Sequence, residues 1–364
     1  MTSLRSGSRA ILASLAVLLS FTGPASAQDA KPAADWSKKL TFSSPDGKFT
    51  LTLGNRVQAR YEHQDFDLDS ADDIERFRAR RVKTAMEGVA FGDVKYKIQA
   101  NWVGSPILED AYFQYTRHPL AQLWVGRGKA FFGRQELTSS GKQQFVDRSL
   151  FSGRFHPGRD TGVALVGEVP SKVFEYQVGV YNGSGIASNS NDNDDFLTTA
   201  RAVWHPFGMI ALEESALDYP SRPKLAIGVA AYQNETGTGA SAQDDSRLAA
   251  ELAFKYLGLN AVAEYVTEDR ETPASQVDTD GYLVQLGYLF PNQKFEVAGR
   301  YGLVSPDTPT DRDQTETGVA LSWYISKHDY KLQADFRTVE DLAQSVTSAN
   351  REYDEARLQL QVAF

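Results

Sequence analysis

The stretch Phe49-Thr50-Leu51-Thr52-Leu53-Gly54-Asn55-Arg56-Val57-Gln58-Ala59-Arg60-Tyr61-Glu62 divides by parity. Phe49, Leu51, Leu53, Val57, Ala59 and Tyr61 fall on one side of an extended chain, and Thr50, Thr52, Arg56, Gln58, Arg60 and Glu62 on the other, because successive Cβ atoms of a strand point to opposite faces. In a water-soluble sandwich the apolar side would turn inward. Repeated along the chain in segments of about ten residues separated by turns, the same pattern marks a barrel that crosses a membrane, its apolar face on lipid and its polar face on water.

The pattern does repeat. Val94, Tyr96, Ile98, Ala100 and Trp102 alternate with Lys95, Lys97, Gln99 and Asn101; Leu248, Ala250, Leu252, Phe254 and Tyr256 stand opposite Arg247, Glu251 and Lys255. Ala356, Leu358, Leu360, Val362 and Phe364 alternate with Arg357, Gln359 and Gln361, so the last strand ends on an aromatic residue. Such an ending resembles the signal by which a barrel-assembly machinery recognises its substrates, and makes that machinery an expected partner.

Segments of this kind are expected near 48–63, 76–91, 94–103, 107–117, 120–128, 159–169, 173–183, 197–205, 224–234, 247–257, 259–268, 280–290, 295–304, 314–325, 330–340 and 353–364, sixteen in all. An even count places both ends of the barrel on the periplasmic side. Turns such as 91–93, 117–119, 169–172, 291–294 and 326–329 are short, as periplasmic turns are, and the intervening connections are longer. The exception is 206–223, too long for a turn and read either as an ordered periplasmic excursion or as a misplaced strand boundary. The fold class expected is all-β: a transmembrane antiparallel β-barrel of about 16 strands, with an inward-folded constriction loop.

Residues 1–27 read as a cleaved signal peptide, with Arg5 and Arg9 ahead of an apolar core from Ile11 to Phe21 and small residues Ala25-Ser26-Ala27 at the cleavage site. A short periplasmic segment, 28–47, and a single barrel domain, 48–364, are expected to follow. No later stretch approaches the ~20 apolar residues of a membrane-spanning helix. The sequence has no cysteine, so disulfides do not hold this exported chain together. The whole chain carries 38 basic and 47 acidic residues; removing Arg5 and Arg9 leaves 36 against 47, a mature charge of −11, which argues against nucleic acid as a partner.

No catalytic constellation appears. His63, His118, His156, His205 and His328 are scattered, and neither a paired-histidine zinc motif, a nucleophile elbow nor a phosphate-binding loop occurs. The chain is therefore not expected to be an enzyme or to hold a cofactor or metal. A barrel enzyme and a surface adhesin are the readings from a different class, and either would close the lumen to ions.

Charge placement is the informative feature. Between 127 and 159 lie seven basic residues, Arg127, Lys129, Arg134, Lys142, Arg148, Arg154 and Arg159, against Glu136 and Asp147. This is the longest extracellular connection, and Arg and Lys gathered at a constriction select anions. A second set, Arg56 and Arg60 on the first strand with Arg76, Arg78 and Arg80 on the next, occupies adjacent staves of one wall. Beyond Arg80 the phase slips, so a bulge near Arg80-Arg81 is expected to return Lys83, Ala85 and Glu87 to the lumen. Guanidinium groups suit phosphate because they donate two parallel hydrogen bonds to adjacent oxygens. The competing use of these cations is pairing, either with lipopolysaccharide phosphates or with lumen acids such as Glu62, Glu87, Asp110, Glu264 and Glu296, which would leave a weakly selective general diffusion pore.

Several stretches carry a resemblance across nearly the whole mature chain. They are Arg78-Ala79-Arg80-Arg81 with Glu87-Gly88; Glu109-Asp110-Ala111-Tyr112-Phe113-Gln114-Tyr115; Glu136-Leu137-Thr138-Ser139-Ser140; Phe145-Val146-Asp147-Arg148-Ser149-Leu150; Pro157-Gly158-Arg159-Asp160-Thr161-Gly162; and, further on, Gly281–Tyr288, Phe295–Tyr301 and Lys331–Phe336. In these the chain resembles the phosphate-selective porin O and P family. The resemblance implies a sixteen-stranded trimeric outer-membrane porin whose inward loop carries lysine and arginine, with an arginine ladder along one wall. Lys129, Arg134, Arg148 and Arg159 lie in the matching block, and Arg76, Arg78 and Arg80 match as rungs. After Thr138-Ser139-Ser140 the family offers a basic residue, where this chain has Gly141 followed by Lys142. The partners implied are phosphate or other small anions, outer-membrane lipid and lipopolysaccharide, and two further copies of the chain.

Overall fold

Alternation becomes a ring of strands in the computed structural model, which describes residues 40–66, 73–188, 190–307, 313–341 and 352–364. The expected signal peptide and the segment up to residue 39 lie outside the described residues, as do residues 67–72, 189, 308–312 and 342–351 in four expected extracellular loops.

In chain order the strands are β1 (Leu40–Ser43), β2 (Thr50–Phe66), β3 (Ile74–Ala90), β4 (Val94–Asn101), β5 (Leu108–Tyr115), β6 (Gln122–Lys129), β7 (Arg159–Glu168), β8 (Phe174–Tyr181), β9 (Leu197–Trp204), β10 (Lys224–Thr236), β11 (Gln243–Tyr256), β12 (Leu259–Glu271), β13 (Gln276–Leu289), β14 (Phe295–Pro306), β15 (Gln314–Ser326), β16 (Tyr330–Asp341) and β17 (Tyr353–Ala363). Each of β2 to β17 pairs antiparallel with its neighbour in sequence, and β17 returns to β2 through Tyr353↔Phe66 to Ala363↔Arg56. The result is a closed ring of sixteen strands, and closure leaves no unpaired ladder edge to face lipid. Two short helices, α1 (Arg134–Leu137) and α2 (Leu150–Phe155), lie in the connection between β6 and β7.

The faces follow parity. On β2, Val57 is 37% exposed while Gln58 is 0% and Arg60 3% exposed. The same holds on β11, where Leu248 and Leu252 are exposed and Arg247, Glu251 and Lys255 are buried. β1 adds to the sixteen: its Leu40↔Leu53 to Ser43↔Thr50 pairing occupies the edge of β2 beyond Phe364, whose N–H and C=O pair with Asn55.

Pairing runs further than the sequence pattern. β11, β12 and β13 continue at their extracellular ends through Asp244↔Glu271 and Asp269↔Asp278, because ladder hydrogen bonds persist past the point where lipid demands an apolar face. The expected bulge is present. Gln58 faces Arg81 and Ala59 faces Ala79, leaving Arg80 as the extra residue on β3. A second slip, Gln99↔Asp110 followed by Ala100↔Leu108, makes Glu109 the extra residue on β5.

The lumen is not uniformly polar. Trp124, Phe132, Phe151, Phe155, Tyr181, Leu197, Tyr232, Val266, Leu283 and Val304 form one buried apolar cluster. Its inward-facing strand residues supply a dry seat for the aromatic side chains of the β6–β7 connection. α2 packs on β14 and β13, which fixes the connection against that side of the barrel.

Candidate functional site: a basic path along one wall

The β6–β7 connection is held from many directions by interior side chains. Glu264 of β12 accepts the backbone N–H groups of Arg134 at 2.8 Å and Gln135 at 2.6 Å. Asp335 of β16 accepts the N–H of Val146 at 2.9 Å, and Arg60 of β2 donates to the Val146 carbonyl at 3.0 Å. Lys331 and Gln333 donate to the Gln143 carbonyl. Strands on both sides of the ring therefore bond the same short segment, which lies inside the barrel. A carboxylate accepting backbone N–H groups replaces the hydration those groups lose.

The long connection 206–223 turns inward too and meets this segment. Glu214 receives hydrogen bonds from Gln135, from the Gln144 N–H and from Gln285, and the Glu214 N–H donates to the Lys142 carbonyl. Ser215 joins Tyr324 and Glu296. The flanking strand boundaries stand as expected, but the connection turns into the barrel instead of forming the periplasmic excursion expected, and the anchoring acid Glu214 was invisible in sequence because nothing in a coil pattern says which way its side chain turns.

The space left open runs along β2 to β6. An upper cavity of about 420 Å³ is lined by Arg56, Arg80, Arg81, Lys83, Lys97, Lys129, Arg148 and Arg159, eight basic side chains, against the two acids Glu109 and Asp110. Below it a cavity of about 270 Å³ carries Arg56, Lys83, Lys97 and Lys142 with Glu87 and Asp329. Arg56, Lys83, Lys97, Gln99 and Ser139 line both, so the two cavities adjoin along this wall.

The two bulges load this path. An extra residue lets consecutive side chains share a face, and Arg80 and Arg81 both reach Asp147, at 3.1 and 2.8 Å. Glu109 and Asp110 likewise both face inward: Lys83 pairs with Glu109, and Arg159 spans Glu109 at 3.3 Å and Asp110 at 2.6 Å. Burial raises the Asp147 carboxyl, but Arg81, Arg60 and Arg80 outweigh it and hold the group well below its ordinary range.

The residues singled out from sequence divide into three groups. Arg56, Arg80, Lys129, Arg148 and Arg159 line the upper cavity, and Lys142 lines the lower one, 3.6 Å from Glu213. Lys129 and Arg148 converge on the carbonyls at the end of α1: Lys129 bonds those of Glu136 and Thr138, and Arg148 donates to Glu136 and Thr138 at 3.0 and 2.8 Å. Arg60, Arg76 and Arg78 gather on Glu62 of the same wall, at 3.0, 2.9 and 2.6 Å, above the cavity. Arg134 and Arg154 are elsewhere. Arg134 is 3% exposed and donates to the Ala211 carbonyl, and Arg154 grips Glu268 on the opposite wall; both anchor the loop.

Arg56 differs from the other cavity-lining cations. It donates to Ser139 Oγ at 3.1 Å and Ser140 Oγ at 3.0 Å, and no carboxylate lies within 4.0 Å of it among the described residues. Of Arg81, Lys83 and Lys97, only Lys83 was placed in the lumen from sequence, and none was counted among the anion-contacting cations. The bulge was the available signal for the first two, since it returns their parity to the lumen, and Lys97 stood on a polar face without a partner to mark it.

The sequence profile of the phosphate-selective porin O and P family matches residues 51–364. The fold is similar to that of the anion-selective porin from Comamonas acidovorans, with a TM-score of 0.64, 11% identity, and coverage of 86% of this chain and 99% of that one. It is also similar to the outer membrane channel DcaP of Acinetobacter baumannii (TM-score 0.62, 13% identity, 89% and 99% covered) and to OmpT of Vibrio cholerae (0.59, 10%, 86% and 97%). No curated protein matches. The chain belongs to the phosphate-selective porin O and P family, a channel-forming rather than an enzymatic fold, and its place is the outer membrane of a Gram-negative bacterium.

Proposed function

We propose that this porin is a passive channel for anions, phosphate and small phosphorylated solutes among them, working as a trimer with the β6–β7 loop as its constriction. The observation that carries the reading is the lining of the upper cavity, eight basic side chains against two acidic ones, in a chain whose total charge is −9. Cations concentrated where the chain as a whole is acidic raise the local anion concentration, and several moderate sites in series allow release as well as capture. Guanidinium groups replace part of an oxyanion's hydration through paired hydrogen bonds. OmpT of Vibrio cholerae, similar in fold, has been solved in a trimer form, which supports the oligomeric part.

Reversal potentials in a KCl gradient test the proposal. Arg148→Gln and Lys83→Gln, both on the path, should each lower the chloride-to-potassium permeability ratio by roughly twofold to fivefold at low salt, a change of ~0.5–1 kcal/mol in relative ion population. The effect should fade toward 1 M, where the Debye length is ~3 Å. Arg154→Gln, on the far wall, should leave the ratio unchanged. Equal ratios for all three variants and the parent would sink the reading.

A further inference from the structure

The upper cavity has two unlike walls. Arg56, Arg81 and Arg148 present guanidinium groups from β2, β3 and the loop, whereas β5 and β6 present rings. Tyr112 and Phe131 line the cavity half-buried, packed on Trp124, which is 3% exposed and backs them both. The Tyr112 and Trp124 centroids are 5.3 Å apart, and Trp124 meets Phe131 at 6.0 Å with the planes at 72°. Leu137 and Leu212 extend this surface. Gly128 keeps it open, for a Cβ there would stand 2.8 Å from Trp124 Cζ2 and 3.5 Å from Tyr112 Cδ1.

Passage of a hydrated inorganic anion makes no use of such a wall. A small ion beside rings and leucines loses water contacts that nothing there replaces. We propose that the upper cavity takes organic anions in which a carboxylate or phosphate is joined to a ring, that is, aromatic carboxylates and aryl phosphates. The charged group meets the guanidinium side, and the ring packs against Tyr112 and Phe131, whose tilted and edge-on geometry around Trp124 favours a further ring in contact. A cavity of about 420 Å³ falls within the range of roughly 300–1,000 Å³ that small-molecule sites occupy. This inference rests on the anion-channel reading and adds the class of solute.

Planar-bilayer recording of the purified porin tests it with sodium benzoate against sodium acetate, and phenyl phosphate against inorganic phosphate, as blockers of chloride current. The ring-bearing anion should block at a concentration about fivefold lower than its ringless counterpart. Phe131→Ser should bring that ratio close to one, and Phe131→Tyr should restore it. If the parent is chloride-selective but blocked equally by benzoate and acetate, the inference falls and the channel reading stands. A parent that does not prefer chloride to potassium removes both. The parent comparison needs no variant, so poor assembly of Phe131→Ser leaves the idea open to refutation.

Discussion

Arg56 and Gly141 cannot both carry a side chain as they stand. A Cβ on Gly141 would lie 3.0 Å from Arg56 Cζ and 3.1 Å from Cδ, and closer still to Nη1. The guanidinium crosses from β2 into this gap and is held there by Ser139 and Ser140. Where the resemblance implied a basic residue after Thr138-Ser139-Ser140, this chain has Gly141, and the Arg56 guanidinium from the barrel wall fills the space a side chain there would take.

Gly141→Ala should therefore act through Arg56. The obstructed atoms belong to the far end of a flexible side chain, so the barrel should still assemble while Arg56 swings away and gives up two charge-assisted hydrogen bonds. Bonds to charged groups are worth about 1.5–3 kcal/mol each when removed, and most of that is recovered wherever water reaches the displaced group. The expected outcome is near-normal thermal stability with a chloride-to-potassium ratio lowered roughly twofold to fivefold. Arg56→Gln should give the same ratio, and the double variant no further loss. Additive effects would show that Gly141 acts through something other than Arg56.

The bulge at Arg80 makes a sharper prediction. Arg78 faces inward and Ala79 outward, Arg80 is the extra residue, and Arg81 resumes the inward face. Deleting Arg80 leaves inward Arg78, outward Ala79 and inward Arg81, a regular strand. Deleting a residue from unbulged β12, such as Val262, would instead turn every later side chain of that strand to the wrong face. The Arg80 deletion should yield a folded, heat-modifiable barrel on gel electrophoresis and the Val262 deletion should not. Equal failure of both would mean that the bulge does more than set the faces.

This bulge also shows how far the sequence could be read. Period-two alternation revealed the barrel, its faces and the need for one extra residue at Arg80-Arg81, because lipid on one side and water on the other impose opposite chemistries residue by residue. Glu109 left no such trace: a second inward acid beside Asp110 sits at the end of a strand, where parity is loosely constrained. The loop's basic residues were conspicuous in number, yet their fates diverged. Arg148 reached the path while Arg134 and Arg154 became anchors, and that division depends on Glu264, Glu268 and the 206–223 segment, all distant in sequence. The apolar seat inside the lumen was hidden by the same rule that revealed the barrel, since Val266 and Leu283 read as ordinary strand residues.

Asp147 should separate stability from selectivity. It is the shared acceptor of Arg60, Arg80 and Arg81, and Asp147→Asn leaves three guanidinium groups facing one another around a neutral amide. Removing one member of a buried ionic cluster costs on the order of 3 kcal/mol, so the unfolding temperature should fall. Two of the released arginines, Arg80 and Arg81, line the upper cavity, so anion preference at low salt should rise in the same variant. A variant that loses stability without gaining anion preference would show that those arginines do not reach the permeating ion.

His328 gives the pH dependence. It lies in the β15–β16 turn, 9% exposed, edge-on to Tyr324 at 5.5 Å, with Nε2 3.5 Å from Glu213. Burial depresses its basicity first, and nearby Lys331 and Lys142 depress it further; Glu213 opposes them, and the imidazole is left at about 4. Glu213 is itself held at about 2, where burial, which raises it, is outweighed by His328, Lys255 and Lys142. At neutral pH the pair is a neutral ring beside a carboxylate. The unfolded chain protonates this histidine near 6.5, so between about 6.5 and 4 it binds more protons than the native barrel does, and stability must fall as the pH falls. The contribution is fully present above the unfolded value and lost by the time the pH reaches about 4, on the order of 3 kcal/mol across the window. His328→Gln removes the titrating group and should flatten unfolding temperature against pH over that interval, while the decline below it, where carboxylates protonate, should persist. Parallel curves for the parent and His328→Gln from pH 7 to 4 would place the acid sensitivity elsewhere in the barrel.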